Sequence, residues 1–415
     1  MKKIFLLCLG LSFAFAMFSQ CENGRYLNQL FPTVSVESDI LYGSNFNWDG
    51  SEESLFLDVY QPEGDTEVNR PLIIFAHGGS FIAGSKEGPD VVPLCEDFAK
   101  MGYVTASIQY RLGTPFTTQL EIPMKQAVVR GYHDMKAAIR WFRKNVAEDG
   151  NTYNIDGDKI IIAGVSAGGF ITTHVAYLDE EGEMLPEIDQ TLQGLTGGLD
   201  GDSGNPGFSS EVLGVVNIAG ALGSTDWMQA GDEPILSFHG TSDATVPYDE
   251  SMLQVGGVLD IDTVAGSSAI HARADEIGLV NCFESHFLEG HLPHVSNPAY
   301  YDTTRSIMSN FSAHLVCPTV ELDCEYREII LDIAEAEKED ALLIYPNPAS
   351  EEIQLINPFS GNTQIEIVNI QGQTVLSFDL SDEQKLVEIS DFARGNYVIR
   401  FKQGEMIRNE QLIIE

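Results

Sequence analysis

Four short stretches of this chain combine residue types that can carry out acyl transfer. In the first, Gly164-Val165-Ser166-Ala167-Gly168, a serine sits between two glycines, after the apolar run KIIIAG and before the helix-like run GGFITTHVAYL. Glycines on both sides remove the Cβ atoms that would clash where a strand turns sharply into a helix. The serine can then hold a strained backbone conformation with its hydroxyl presented. The second stretch, His77-Gly78-Gly79-Ser80-Phe81, ends another apolar run. Its small residues expose backbone N–H donors of the kind that stabilise the negative oxygen of a tetrahedral intermediate.

The third stretch, FHGTSDATVPY (238–248), offers Asp243 as a carboxylate able to orient a histidine; Asp232 competes, but precedes its apolar run instead of following it. The fourth, LEGHLPHV (288–295), offers two histidines in a loop. A base is expected last in the order serine, acid, histidine. His271 falls in a helix-like run, His286 in a strand-like run and His314 in the final helix, which leaves His291 and His294. Gly290-His291 fits a tight turn that presents an imidazole, so His291 is favoured and His294 is the alternative. Any one stretch alone is an ordinary turn or loop. All of them occur in the required order, at strand-like ends.

The elements that must position them alternate. Strand-like runs LFLDVY (55–60), PLIIFAH (71–77), YVTASIQY (103–110), KIIIAGV (159–165), VLGVVNIAG (212–220), PILSFHG (234–240) and NCFESHFLEG (281–290) are separated by helical patterns, the clearest over 124–146. Continuous β-branched runs between helices predict an α/β fold with a mostly parallel sheet covered on both faces. Residues 181–210, rich in glycine and acid, interrupt the rhythm; a cap over the site and a surface excursion fit them equally.

Composition narrows the partners. The chain of 415 residues has a formal net charge of −39, which argues against nucleic acid. MKKIFLLCLGLSFAFAMFSQ reads as a signal peptide over 1–20, and no later uncharged run approaches the ~20 residues of a membrane span. Phe18-Ser19-Gln20 lacks the small residue expected before a lipidated cysteine. Cys21, Cys95, Cys282, Cys317 and Cys324 remain after the signal, an odd number, so at least one is unpaired within the chain. Cys317 and Cys324, close in sequence, are expected to form a disulfide. No cysteine pair has zinc-like spacing and DGDSGN lacks the full EF-hand pattern, so no metal is expected.

Residues 54–315 resemble the α/β-hydrolase fold, within the carboxylesterase/lipase-type group that carries an H-G-G loop. HGGSF, GVSAGG and HGTSDATVPY carry the resemblance; EGHLPH departs from the group's usual G-x-G-H at Glu289. The resemblance implies Ser166 as nucleophile, His291 as base and Asp243 as its orienting acid. It implies an oxyanion hole from the N–H groups of Gly79, Ser80 and Ala167, with Ser80 in place of the commoner glycine, and no cofactor. The expected function is a secreted carboxylic ester hydrolase for small or polymer-attached esters. A prolyl oligopeptidase-type serine peptidase is an alternative, but the segment before residue 54 is too short for that group's propeller. A non-catalytic surface binding protein on a hydrolase scaffold is another, opposed by the intact Ser, Asp and His.

Beyond an acidic linker (318–341), residues 342–415 turn to short alternating strands that predict a small all-β sandwich. Tyr345-Pro346-Asn347-Pro348, NIQGQTV (369–375), GNYVIRF (395–401) and EQLIIE (410–415) resemble the type IX (Por) secretion system C-terminal sorting domain. That resemblance implies the type IX machinery as partner and an extracellular or cell-surface location. An accessory carbohydrate-binding sandwich is the competing reading. The expected organisation is thus signal 1–20, catalytic domain 21–317, linker 318–341 and sorting domain 342–415.

Overall fold

The computed structural model describes residues 21–115, 117, 119–255, 259–327, 329, 343–346, 348–356, 363–369, 373–381, 384–390, 392–403 and 406–414. The expected signal segment, 1–20, and most of the expected linker, 318–341, lie outside these residues. Contacts divide the chain into two compact units, Met1–Asp332 and Ile333–Glu415.

The first unit contains β1 (Val34–Phe46), β2 (Glu52–Pro62), β3 (Arg70–Ala76), α1 (Val92–Lys100), β4 (Val104–Ile108), α2 (Glu121–Glu148), β5 (Ile155–Val165) and α3 (Ala167–Tyr177). There follow β6 (Gly214–Ile218), β7 (Ala221–Leu222), β8 (Ile235–Gly240), β9 (Ser251–Val255), β10 (Leu259–Gly266), α4 (Ser267–Ile277), β11 (Asn281–His286), α5 (Pro293–Ser296) and α6 (Pro298–Val316). Eight strands form one sheet in the order β1-β2-β4-β3-β5-β6-β8-β11. β2 runs antiparallel to both neighbours and every pair from β4 to β11 is parallel. This is the mostly parallel α/β sheet that the alternating pattern leads one to expect.

Sheet residues alternate between two cores. Leu72, Ile74 and Ala76 of β3 join Ile160 and Ile162 of β5 in the core beneath α2 and α3. Ile73 and Phe75 join Ile161, Ala163 and Val165 in the core beneath α1 and α6. Strands buried on both faces carry no polar alternation, which is why they read as continuous apolar runs. A separate antiparallel sheet, β7-β10-β9, projects a hairpin after β8.

The expected Cys317–Cys324 disulfide is not formed. Cys317 pairs with Cys21 and Cys324 with Cys282. Cys317 caps the C-terminus of α6 deep in the core. The chain beyond it returns alongside β11, where Cys324 meets Cys282. Among the described residues, Cys95 is the free cysteine, and it is buried.

In the second unit, β12 (Leu343–Tyr345), β13 (Glu352–Ile356) and β16 (Gln384–Glu388) form one antiparallel sheet. β14 (Thr363–Asn369), β15 (Thr374–Leu380), β17 (Gly395–Gln403) and β18 (Met406–Ile414) form another, in the order β15-β14-β17-β18. Ile353 and Leu355 of the first sheet and Ile365, Ile367, Ile399 and Leu412 of the second share one apolar core.

Candidate active site

The site is built where β5 turns into α3. Ser166 is held at φ +55°, ψ −113°, a backbone region that non-glycine residues rarely occupy. Both flanking glycines are required by close approach. A Cβ on Gly164 would lie 2.0 Å from the Gly168 carbonyl oxygen, and one on Gly168 would lie 2.1 Å from that of Ala76. The Ser166 N–H donates to Ile218 O at 2.8 Å, which fixes the turn to β6. Ser166 also stands at the N-cap of α3, the positive end of that helix.

The turns after β8 and β11 bring the other two groups in. Ser166 Oγ is 2.9 Å from His291 Nε2, and His291 Nδ1 is 2.6 Å from Asp243 Oδ2. A carboxylate only accepts, so Nδ1 carries the proton and Nε2 is left to accept from the serine hydroxyl. The other oxygen, Asp243 Oδ1, accepts from the N–H groups of Thr245 at 2.7 Å and Val246 at 3.0 Å. Burial alone would push this carboxyl up; donors from His239, His291 and the backbone outweigh it and hold Asp243 far below the usual carboxylate range. The Asp243 side chain is 0% exposed and that of His291 19%, so the imidazole can reach substrate while its partner stays dry.

The alternative histidine, His294, falls in α5 instead of a loop and is buried. Burial pushes its imidazole down to about 4, so it is neutral at ordinary pH. Asp232 binds the backbone N–H of Gln229, in a turn before β8.

The HGG loop lies directly against the serine, since a Cβ on Gly78 would be 3.3 Å from Ser166 Cβ. Ser80 takes a left-handed φ of +55° and lines the same cavity as Ser166 and Ala167; Gly79 precedes it in the turn. Residues distant in sequence hold this loop. Asp90 Oδ2 accepts from the Gly78 N–H at 2.7 Å, and Tyr110 Oη donates to His77 O at 2.9 Å. Neither Asp90 nor Tyr110 stands in a recognisable motif, so the sequence did not flag them.

The cavity is about 170 Å³. Phe81, Met124, Phe170, Met184, Ile188 and Trp227 are among its apolar lining. Part of its wall is the β9–β10 hairpin, through Leu253, Ile261 and Val264. Its signal in the sequence is faint, two short runs, SMLQV and LDIDTVAG, flanking Gly256-Gly257.

Segment 181–210 divides into two parts. Met184, Leu185 and Ile188 line the cavity, as a cap would. Residues 194–204 instead lie pinned on α2. The fully buried Arg111–Asp134 pair, at 2.7 Å, also donates from Arg111 Nη1 to Gly194 O, and Arg140 donates to Asp200 O and Gly204 O.

Among the described residues, the one acidic cluster close enough to share an ion is Glu121, Glu187 and Asp262. Lys125 Nζ already occupies its centre, at 3.1, 2.7 and 2.6 Å from the respective carboxylates. No helix among these residues is long and apolar enough to cross a membrane.

Comparison with known proteins gives two family matches. Residues 57–197 match the BD-FAE family, an α/β-hydrolase esterase domain, and residues 343–415 match the secretion system C-terminal sorting domain. The chain is 32% identical over 158 residues to pyrethroid hydrolase Ces2a of Mus musculus, a stretch covering 37% of this chain and 24% of that protein. It is 34% identical over 143 residues to cocaine esterase of Homo sapiens, covering 33% of this chain and 24% of that one. The chain thus spans about a quarter of the length of these curated relatives. The native esterase Est2 of the Planctomycetes species Thermogutta terrifontis aligns at a TM-score of 0.46 and 24% identity, over 70% of this chain and 96% of that one.

Proposed function

We propose that this protein is a secreted serine carboxylic ester hydrolase. The observation that carries the reading is the continuous line Ser166 Oγ–His291 Nε2 and His291 Nδ1–Asp243 Oδ2, at 2.9 and 2.6 Å. Ser166 Oγ attacks the ester carbonyl as His291 Nε2 takes its proton. Asp243 keeps the imidazole oriented and stabilises its protonated form. The carbonyl oxygen, now negative, is bound by the N–H groups of Gly79, Ser80 and Ala167 and by the positive end of α3. His291 returns the proton to the leaving alcohol. Water then attacks the acyl-enzyme by the same route in reverse, freeing the acid and Ser166.

The apolar cavity beside Ser166 favours an ester with a bulky apolar group over an acetyl ester. Export follows from the signal segment 1–20 and the sorting region 342–415, joined to the catalytic region 21–317 by the linker 318–341. Type IX secretion machinery is the partner this implies, with release or surface display as the destination.

A panel of p-nitrophenyl esters of rising acyl length, with feruloyl esters and a peptide substrate alongside, tests the reading. Ester hydrolysis that improves beyond acetyl supports it. Peptide cleavage without ester cleavage, or no turnover of any ester, would contradict it.

A further inference from the structure

Asp243 is approached by two histidines. Besides His291, His239 Nε2 lies 3.3 Å from the same oxygen, Oδ2, and both His239 and Asp243 side chains are 0% exposed. The hydrogen-bond chemistry around His239 fixes its proton. Nε2 is hydrogen-bonded to the Val246 carbonyl at 3.2 Å and passes Asp243 Oδ2 at 3.3 Å, and both oxygens only accept. Nε2 must therefore carry the hydrogen. Nδ1 then accepts from Ser267 Oγ at 2.8 Å. Ser267 Oγ in turn accepts from Asn217 Nδ2 at 3.2 Å, and Asn217 Oδ1 accepts from the Gly220 N–H at 3.0 Å. Every atom in this chain has one consistent role, and its members come from β6, α4 and β8.

We infer that His239 is a positioning residue for the ester hydrolysis proposed above: its Nε2–H, held on the Val246 carbonyl and fixed from behind by Ser267 and Asn217, lies against Asp243 Oδ2 and keeps the carboxylate in the orientation that His291 needs. With the backbone donors on Oδ1, this leaves Asp243 no free rotation about its terminal bond. His239 touches no substrate and reaches Ser166 only through Asp243 and His291. The other polar or ionisable groups around it are Tyr248, whose ring is 5.7 Å away, and His286 on β11, itself beside Glu284.

The test compares His239→Phe, which removes the donor and keeps a ring, with His239→Gln, whose amide can place an N–H near the Nε2 position. In the full secreted chain, with a p-nitrophenyl ester, His239→Phe should lower kcat by about 10- to 100-fold with KM changed less than ~3-fold, the effect of losing one polar N–H contact beside a buried charge. Asp243, short of one donor, becomes more basic and binds the shared proton more tightly. The acid limb of the kcat/KM profile should therefore move to higher pH. His239→Gln should recover activity to within ~5-fold of wild type and restore that limb.

A folded His239→Phe with wild-type kcat and an unmoved acid limb would overturn the inference. So would a folded His239→Gln as impaired as the Phe variant. If His239→Phe does not fold, nitrogen-15 spectra of wild-type histidines decide, with the His239 signal assigned by its loss in His239→Gln. The neutral Nε2–H tautomer is expected, and the Nδ1–H tautomer would overturn the inference. Failure of the hydrolase reading itself would look different: wild-type ester turnover left intact by Ser166→Ala.

Discussion

Ser166 Oγ and His291 Nε2 stand 2.9 Å apart although 125 residues separate them in sequence. The contact depends on two turns at the same end of the parallel sheet, although β6 and β8 lie between their strands. One is the β5–α3 corner, closed by Gly164 and Gly168. The other is the loop after β11, which Asp243 holds by the far side of the imidazole.

Removing either partner of the serine should therefore be severe. His291→Ala is expected to lower kcat by ~10⁴-fold, and Asp243→Asn nearly as much, because an amide there no longer holds the productive imidazole tautomer. His294→Ala should cost less than ~10-fold in activity while lowering Tm, since that ring is buried and makes no contact with Ser166. Steady-state kinetics with thermal melts separate the two effects. A dead His294→Ala beside an active His291→Ala would move the base by three residues.

Acid should destabilise the fold before it protonates most carboxylates; Glu233, pushed up to about 7 by burial, is one that takes its proton earlier. Burial pushes His133, His174, His271 and His294 each down to about 4 from 6.5. Between those values the unfolded chain binds protons that the folded chain refuses. Stability therefore falls as pH drops from ~6.5 towards ~4, by up to ~1.4 kcal/mol per pH unit for each group, and levels off below that window for these groups. Urea unfolding at pH 7 and pH 5 should show the loss. His271→Gln, away from the site, should make the slope shallower; an unchanged slope would contradict the assignment.

Non-reducing peptide maps should link Cys21 to Cys317 and Cys282 to Cys324, and leave Cys95 to react only after unfolding. The second link closes a loop with a sequence separation of 42. Loop entropy gives it about 4 kcal/mol of stabilisation, so Cys282→Ser should unfold at markedly lower denaturant. A secreted chain with Cys21 linked to Cys317 has no thiol there to carry a lipid.

Lys125 clasps the cavity rim, joining α2 through Glu121, segment 181–210 through Glu187 and the β9–β10 hairpin through Asp262. Lys125→Met should raise KM for bulky apolar esters ~3- to 10-fold, leave kcat within ~2-fold, and speed hydrogen exchange at 184–188 and 259–264. Exchange unchanged at both segments would show that the clasp does not hold them.

The parts of this fold legible in the sequence are those whose burial erases polarity. The central strands show as apolar-rich runs, clearest in PLIIFA of β3 and IIIAGV of β5, and Gly164-Val165-Ser166-Ala167-Gly168 is local because one tight turn builds it. β1 escaped notice because it is an edge strand with most residues exposed, so no apolar run marks it. Asp90 and Ser267 were invisible for a different reason: each acts through a partner on another element, and only the fold brings them together; His239 stands four residues before Asp243, but an i,i+4 pair across a turn leaves no pattern that marks it. The cysteines misled by proximity. Cys317 and Cys324 are near in sequence, but the end of α6 buries one while the chain carries the other to β11.

The central claim is that Ser166 is the nucleophile, and covalent labelling tests it most directly. The secreted protein should react with a fluorophosphonate at one residue, mapped by mass spectrometry to Ser166, and lose ester hydrolysis in step with labelling. Ser166→Ala should remain folded, take up no label, and hydrolyse esters ~10⁴-fold more slowly or worse. Label on a different residue, or ester turnover that survives in Ser166→Ala, would contradict the account.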